Sequence, residues 1–132
     1  MAMLKTGIKN AATITVGESD TAREMKSGEL DVFATPSMIA LMENTAYMSV
    51  APCLEPGQGT VGTSINVKHL AATPVGMKVT CESELVEIDG RILRFRITCH
   101  DEKDLIGTGE HERYIITNDR FFLKCSAKKT DD

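Results

Sequence analysis

The chain has 132 residues, of which 42% are hydrophobic and 26% are charged, and its formal net charge is −4. These values are typical of one globular domain, and the acidic balance argues against a nucleic-acid partner, which would require a basic stripe. No run approaches the roughly 20 apolar residues of a membrane span, and the amino-terminal residues lack the apolar core of a signal peptide, so we expect a cytoplasmic protein without membrane contact.

The first predicted element is a strand, because hydrophobic and polar residues alternate over residues 7–16 and place Ile8, Ala12 and Ile14 on one side. Residues 17–31 follow as a polar connection of mixed charge, with room for one weak helical turn. Connections of this length in a compact domain are often lids or binding loops. A solvated connection without a function is an equally good interpretation.

The next stretch is the most apolar in the chain and predicts a buried helix. Thr35 is expected to be its N-cap and Pro36 its first helical residue, where the missing N–H of proline costs nothing. Glu43 lies in the middle of this helix, with no lysine or arginine three or four residues away. Because a carboxylate is costly to bury unless it is paired, protonated or used, Glu43 is a candidate functional residue.

Four more strands are predicted after a turn rich in proline and glycine at residues 54–59. They cover residues 60–72, 77–88, 91–100 and 105–117. Asp89 and Gly90, between the second and third of them, form the strongest hairpin signal in the chain. Residues 118–129 are predicted as a short strand or helix, and the tail over residues 124–132 is expected to fray.

One apolar helix beside a meander of long strands predicts a single α+β domain over residues 1–132. The sheet would wrap around the helix, as it does in the hot-dog architecture. A sheet of this kind has open edges, so pairing of two chains through an edge is plausible.

Alternation along residues 60–72 places His69 on the same face as Ile65 and Val67, and places Gly62 on the opposite face. His100 is expected at the surface, whereas the side taken by His111 is left open by the pattern. A lone histidine at a core edge is most often structural. Two ionisable groups that both point inward are nevertheless likelier to share a site, which joins His69 to Glu43.

Carboxylate, imidazole and hydroxyl groups together suit hydrolysis. Thr35 could place its hydroxyl beside Glu43, although a role as helix cap alone is an equal alternative. Gly62, in a strand, could offer a bare backbone N–H to a developing oxyanion. Signatures of serine hydrolases, P-loops and dinucleotide folds are absent, and neither CxxC nor HExxH occurs, so no metal is expected. The four widely spaced cysteines favour reduced thiols.

Three segments of the chain are distinctive as they stand: VFATPSMIALME, APCLEPGQGTVGTSINVKHLAATPVG and HDEKDLIGTGEHER. In order and spacing they resemble the hot-dog thioesterases similar to fluoroacetyl-CoA thioesterase, over about residues 32–116. The resemblance implies that Thr35, Glu43 and His69 are catalytic. It further implies that the amide of Gly62 faces the thioester carbonyl and that Arg113 lies near the acyl pocket.

The resemblance also implies a homodimer with two sites at the subunit interface, and whether dimers pair into tetramers stays open. The substrate would be an acyl-CoA, with CoA entering as part of the substrate and no further cofactor. Members specialised for fluoroacetate have a longer lid with aromatic residues, whereas residues 19–31 contain none. We therefore expect a thioesterase for short or medium acyl-CoA. An enoyl-CoA hydratase and a non-catalytic dimer that binds acyl-CoA or another small ligand are the alternatives.

Overall fold

A five-stranded antiparallel sheet wraps around one long helix in the computed structural model, which describes residues 3–129. The elements are β1 (Lys9–Thr15), α1 (Ala22–Met25), α2 (Thr35–Val50), β2 (Gln58–His69), β3 (Lys78–Asp89), β4 (Ile92–His100), β5 (Leu105–Thr117) and α3 (Asn118–Ser126). This is the order that the sequence predicts, and the strand ends differ from the predicted ones by a few residues. Single 3₁₀ turns precede α1 and follow α2 and α3.

The strands lie in the order β1-β3-β4-β5-β2, so that β1 and β2 form the two edges. Alternate residues of β3 and β4 point towards α2 and are fully buried, among them Val79, Leu85, Leu93 and Ile97. Burying an aliphatic side chain of this size contributes about 1.5–3 kcal/mol, so this face is the main source of stability. The predicted α+β hot-dog arrangement is confirmed.

Two glycines of β5 allow α2 to lie close to the sheet. A Cβ added to Gly107 would lie 2.5 Å from Met38 Sδ, and one added to Gly109 would lie 3.1 Å from Met42 Sδ. Both methionines are fully buried. Because neither glycine has a side chain, the two methionine side chains fill the space between α2 and β5. The close approach of the helix also lets Glu43, which follows Met42, reach β2.

The register of β2 against β5 shifts between Gly62 and Ser64, which leaves Thr63 as an extra residue. Such a β-bulge reverses the alternation of faces along the strand. Gly62 therefore faces the helix together with Ile65 and His69, and the expectation that Gly62 lies on the opposite face is wrong. The Thr63 hydroxyl instead donates to the Glu112 carboxylate at 2.7 Å on the outer face.

The polar connection between β1 and α2 has fixed ends. Thr21 and Phe33 form an isolated β-bridge, and the Phe33 amide donates to the Thr73 carbonyl at 2.9 Å. Helix α1 supplies the one weak turn that the sequence predicts here.

At the other end of the chain, α3 and a 3₁₀ turn continue to Lys129, beyond the position where fraying was expected to begin, and residues 130–132 lie outside the described range.

Candidate active site

Thr35 is the first residue of α2, and Ala34 occupies the N-cap position. The prediction of Thr35 as the cap is therefore wrong, because the backbone of Ala34 is the extended one. The Thr35 hydroxyl lies 2.8 Å from Nδ1 of His69, the last residue of β2. A residue that was expected to cap a helix thus holds a histidine.

The imidazole of His69 has one nitrogen engaged and one available. Nε2 is buried and has no hydrogen-bond partner among residues 3–129. Burial lowers the pKa of His69 below its ordinary value, and the nearby backbone of Ala71 only partly offsets this. At neutral pH the ring is uncharged, so it can accept or donate a proton through Nε2 according to its tautomer.

A pocket of about 410 Å³ opens beside the Thr35–His69 pair. That volume lies within the range typical of ligand pockets. Its other walls are small or apolar residues of the polar connection, the start of α2 and the end of β2: Ala22, Ser27, Val32, Phe33, Ala34, Leu70, Ala71 and Ala72. The connection between β1 and α2 therefore forms part of the pocket wall, as a lid would.

A second group of functional side chains meets at Gly62. A Cβ added there would lie 2.9 Å from Glu43 Oε2, 3.2 Å from His111 Cε1 and 3.4 Å from Arg113 Nη1. The half-buried Glu43 therefore approaches bare backbone, which only glycine allows without displacing the carboxylate. A glycine, a carboxylate and a guanidinium converge on one point.

Arg113 is buried and firmly held. Its Nε donates to the Thr60 hydroxyl at 2.8 Å and its Nη2 to the Thr60 carbonyl at 3.0 Å, and its guanidinium carbon lies 5.6 Å from the ring centroid of Tyr47. Burial lowers the pKa of Arg113, and the charge of Glu43 partly offsets this. An arginine stays protonated at neutral pH even so, so the site holds a fixed positive charge.

His111 is the residue of this group whose side the sequence left open. It is 3% exposed, its Nδ1 lies 2.8 Å from the Ser64 carbonyl and its Nε2 lies 3.1 Å from Arg113 Nη1. The signal that could have placed it is the inward alternation of Gly107, Gly109 and Ile115 along β5. His100 lies at the surface as expected.

Among residues 3–129, no hydrogen bond or ion pair joins the Thr35–His69 pair to the group at Gly62. Thr35 and Glu43 are eight residues apart on α2, which places them about 12 Å apart along the helix axis. The structure therefore brings Thr35 to His69 and brings Glu43 to Gly62 and Arg113. Within a single chain the Thr35 hydroxyl orients the imidazole and does not reach the carboxylate.

A family model described as "FlK: Fluoroacetyl-CoA-specific thioesterase" matches residues 16–119, a range that contains both groups of side chains. The chain belongs to this family. The resemblance inferred from the sequence is thereby confirmed. The fluoroacetyl-CoA thioesterase of Streptantibioticus cattleyicolor is 47% identical over 98 residues, which cover 74% of this chain and 70% of that protein.

Solved structures agree with this family assignment. A structure of the fluoroacetyl-CoA thioesterase FlK superposes with a TM-score of 0.92 at 38% identity and covers 98% of this chain and 100% of that one. A Thermus thermophilus hypothetical protein, described as a thioesterase superfamily member, superposes with a TM-score of 0.90 at 26% identity over 98% of this chain and 96% of that one. The members of the FlK family and this wider relative thus share the fold.

Three further findings concern residues 3–129 of this FlK-family chain. Within them, no group of three or more histidine, cysteine or acidic side chains is arranged to hold a metal ion. No helix in that range is long and apolar enough to cross a membrane. Cys53, Cys81, Cys99 and Cys125 are all free thiols.

Proposed function

We propose that this protein is an acyl-CoA thioesterase that hydrolyses a short or medium acyl-CoA to the free acid and CoA. The observation that carries the proposal is the convergence of Glu43, Arg113 and the bare backbone of Gly62, in a chain of a thioesterase family. A thioester carbonyl set against Gly62 would face a hydrogen-bond donor and a carboxylate at once.

The chemistry follows from those two contacts. The Gly62 N–H and Arg113 would stabilise the negative charge that develops on the carbonyl oxygen. Glu43 would either take a proton from a water molecule, whose oxygen attacks the carbonyl carbon, or attack that carbon itself and form an anhydride that water then cleaves. In both routes the carbon–sulfur bond breaks and the thiolate of CoA leaves with a proton.

His69 is proposed to relay that proton: its uncharged ring would take a proton released by the reacting water and pass it to the thiolate, and Thr35 would orient the ring. Since Thr35, which holds His69, lies about 12 Å from Glu43 along α2, we infer that one complete site uses a second chain. We propose a homodimer in which Thr35 and His69 of one subunit face Glu43 and Gly62 of the other. The exposure of Tyr47 and Met48 on α2, at 40% and 50%, and the position of β2 at the sheet edge support such an interface.

The pocket beside Thr35 and His69 supports the proposed substrate range. Its walls are mostly alanine, serine and valine, with Phe33 as an aromatic member, and residues 19–31 contribute no further aromatic side chain. We propose that such a pocket accommodates an acyl group longer than two carbons. We further propose that catalysis needs no metal, and that the protein is cytoplasmic, in keeping with its four free thiols.

Release of free thiol from a panel of acyl-CoA substrates of increasing chain length tests the proposal. We expect the wild-type protein to release thiol fastest with short or medium acyl groups, and both Glu43→Gln and His69→Ala to lower kcat by about 100-fold or more. His100→Gln, at the surface, serves as the matched control. Parent rates in both variants would contradict the proposal. Tight binding without thiol release would instead favour a binding protein, and hydration of an enoyl-CoA would favour a hydratase.

A further inference from the structure

His111 lies between Gly62 and Arg113, and no step of the proposed chemistry uses it. It is a titratable side chain of which only 3% is exposed, and its ring lies 6.1 Å, centroid to centroid, from that of Phe95. We infer that His111 is a positioning residue that holds Arg113 and Gly62 in the orientation used on the thioester carbonyl. This inference rests on the proposed function.

On one side, His111 fixes the guanidinium of Arg113. Nη1 of Arg113 lies 3.1 Å from His111 Nε2, while Nε and Nη2 bind Thr60. A guanidinium has five N–H groups, so the three bonds leave two of them for a substrate. Because Nη1 is also the arginine atom nearest to a Cβ built on Gly62, the His111 bond sets the direction of the N–H groups beside the proposed carbonyl position.

On the other side, His111 fixes the β-bulge. Its Nδ1 lies 2.8 Å from the carbonyl of Ser64, the residue that follows the extra residue Thr63. The bulge is what turns Gly62 towards the helix. A hydrogen bond that holds the carbonyl after the bulge therefore also holds the direction of the Gly62 backbone.

These two bonds require one protonation state of His111. A carbonyl only accepts and a guanidinium only donates, so Nδ1 carries the proton and Nε2 carries none. A second proton on Nε2 would oppose the Arg113 N–H directly. The charged groups whose fields act on the ring are Glu43 from α2, Arg113 from β5 and, from the outer face of β5, Glu112. Only an uncharged ring makes both bonds.

The test compares three variants with the wild-type protein in thiol release from one acyl-CoA. His111→Phe keeps an aromatic ring against Phe95 and loses both hydrogen bonds, whereas His111→Gln keeps an amide oxygen that can accept from Arg113. His100→Gln is the surface control. We expect His111→Phe to lower kcat/KM by up to about 100-fold, His111→Gln to recover part of that loss, and His100→Gln to match the wild type.

A double variant separates positioning from a general structural effect. Because part of the His111 effect acts through Arg113, adding His111→Phe to Arg113→Met should lower activity less than His111→Phe lowers it in the wild-type protein. Additive losses, or a His111→Phe variant as active as the wild type, would overturn the inference. A wild-type protein that releases no thiol would instead overturn the proposed function.

Nitrogen-15 NMR of the His111 ring gives a readout that does not depend on turnover. We expect Nδ1 to be protonated and Nε2 unprotonated at neutral pH, and we expect the Nε2 resonance to shift in Arg113→Met. A proton on Nε2, or an Nε2 resonance at the same chemical shift in Arg113→Met as in the wild-type protein, would overturn the inference whether or not the protein is a thioesterase.

Discussion

The Thr35 hydroxyl lies 2.8 Å from Nδ1 of His69, although 34 positions separate the two residues in the chain. The bond joins the start of α2 to the end of the edge strand β2. It leaves Nε2, which is buried and has no hydrogen-bond partner among residues 3–129, as the nitrogen of His69 that is not engaged. The first prediction concerns this bond.

Thr35→Ala should lower kcat and leave the fold intact, because it removes the hydroxyl that orients His69 while Thr35 itself is exposed. We expect a loss of roughly 10- to 100-fold and a change in unfolding free energy within about 0.5 kcal/mol. Thr35→Ser, which keeps the hydroxyl, should retain most of the activity. The measurement is steady-state thiol release beside urea unfolding, and a serine variant as slow as the alanine variant would contradict the role of the hydroxyl.

The activity should fall on the acid side only below the ordinary histidine pKa of about 6.5. Burial lowers the pKa of His69, so the ring stays uncharged as the pH drops through 6.5 and protonates only at lower pH. The profile of kcat/KM against pH should therefore be level at pH 6.5 and decline below it. A decline whose midpoint lies above 6.5 would show that His69 is not the group that titrates.

Gly62→Ala should impair the site more than the fold. The added Cβ would lie 2.9 Å from Glu43 Oε2, so the carboxylate must move away from the backbone that it approaches. We expect a loss of activity of up to about 100-fold. Gly17→Ala is a suitable control, since its Cβ would meet Asp20 Oδ2 at an ordinary 3.5 Å. Equal activity in the two variants would argue against a substrate site at Gly62.

Gly107→Ala should destabilise the protein, because its Cβ would lie 2.5 Å from the sulfur of the fully buried Met38. Overpacking of this kind costs typically about 1–3 kcal/mol. Adding Met38→Ala should relieve part of that cost, so the two changes should couple in a double-mutant cycle of unfolding free energies. If the two changes in unfolding free energy are strictly additive, then Met38 on the helix does not pack against Gly107.

The strands, the Asp89-Gly90 hairpin and the buried helix were predictable because their signals are local. Alternation shows which face of β3 and β4 is buried, and a chain of these elements has few ways to cover one apolar helix. The bulge at Thr63 was not predictable, because an extra residue in an edge strand is stabilised by bonds to its neighbour, such as that from Thr63 to Glu112, which a single strand does not encode.

The sequence predicts which residues belong to the site better than it predicts how those residues are arranged. Glu43 is recognisable as a charge on an apolar helix, but its neighbour Arg113 comes from a strand 70 residues later in the chain. Ala34 occupies the N-cap position in place of Thr35 because an extended backbone conformation, and not the type of side chain, defines that position. The sequence places Thr35 and Glu43 on one helix but does not make it obvious that they lie about 12 Å apart along its axis. This separation is the reason to propose a second subunit.

The most direct test of the central claim is thiol release by a mixed dimer. Glu43→Gln and His69→Ala subunits, each inactive alone, are produced together with different affinity tags, and the heterodimer is purified through both. In a two-fold symmetric dimer with shared sites, one of its two sites has both residues intact, so we expect about half of the wild-type activity. A heterodimer as inactive as its parents would contradict the claim that Glu43 of one subunit and His69 of the other act on the same thioester.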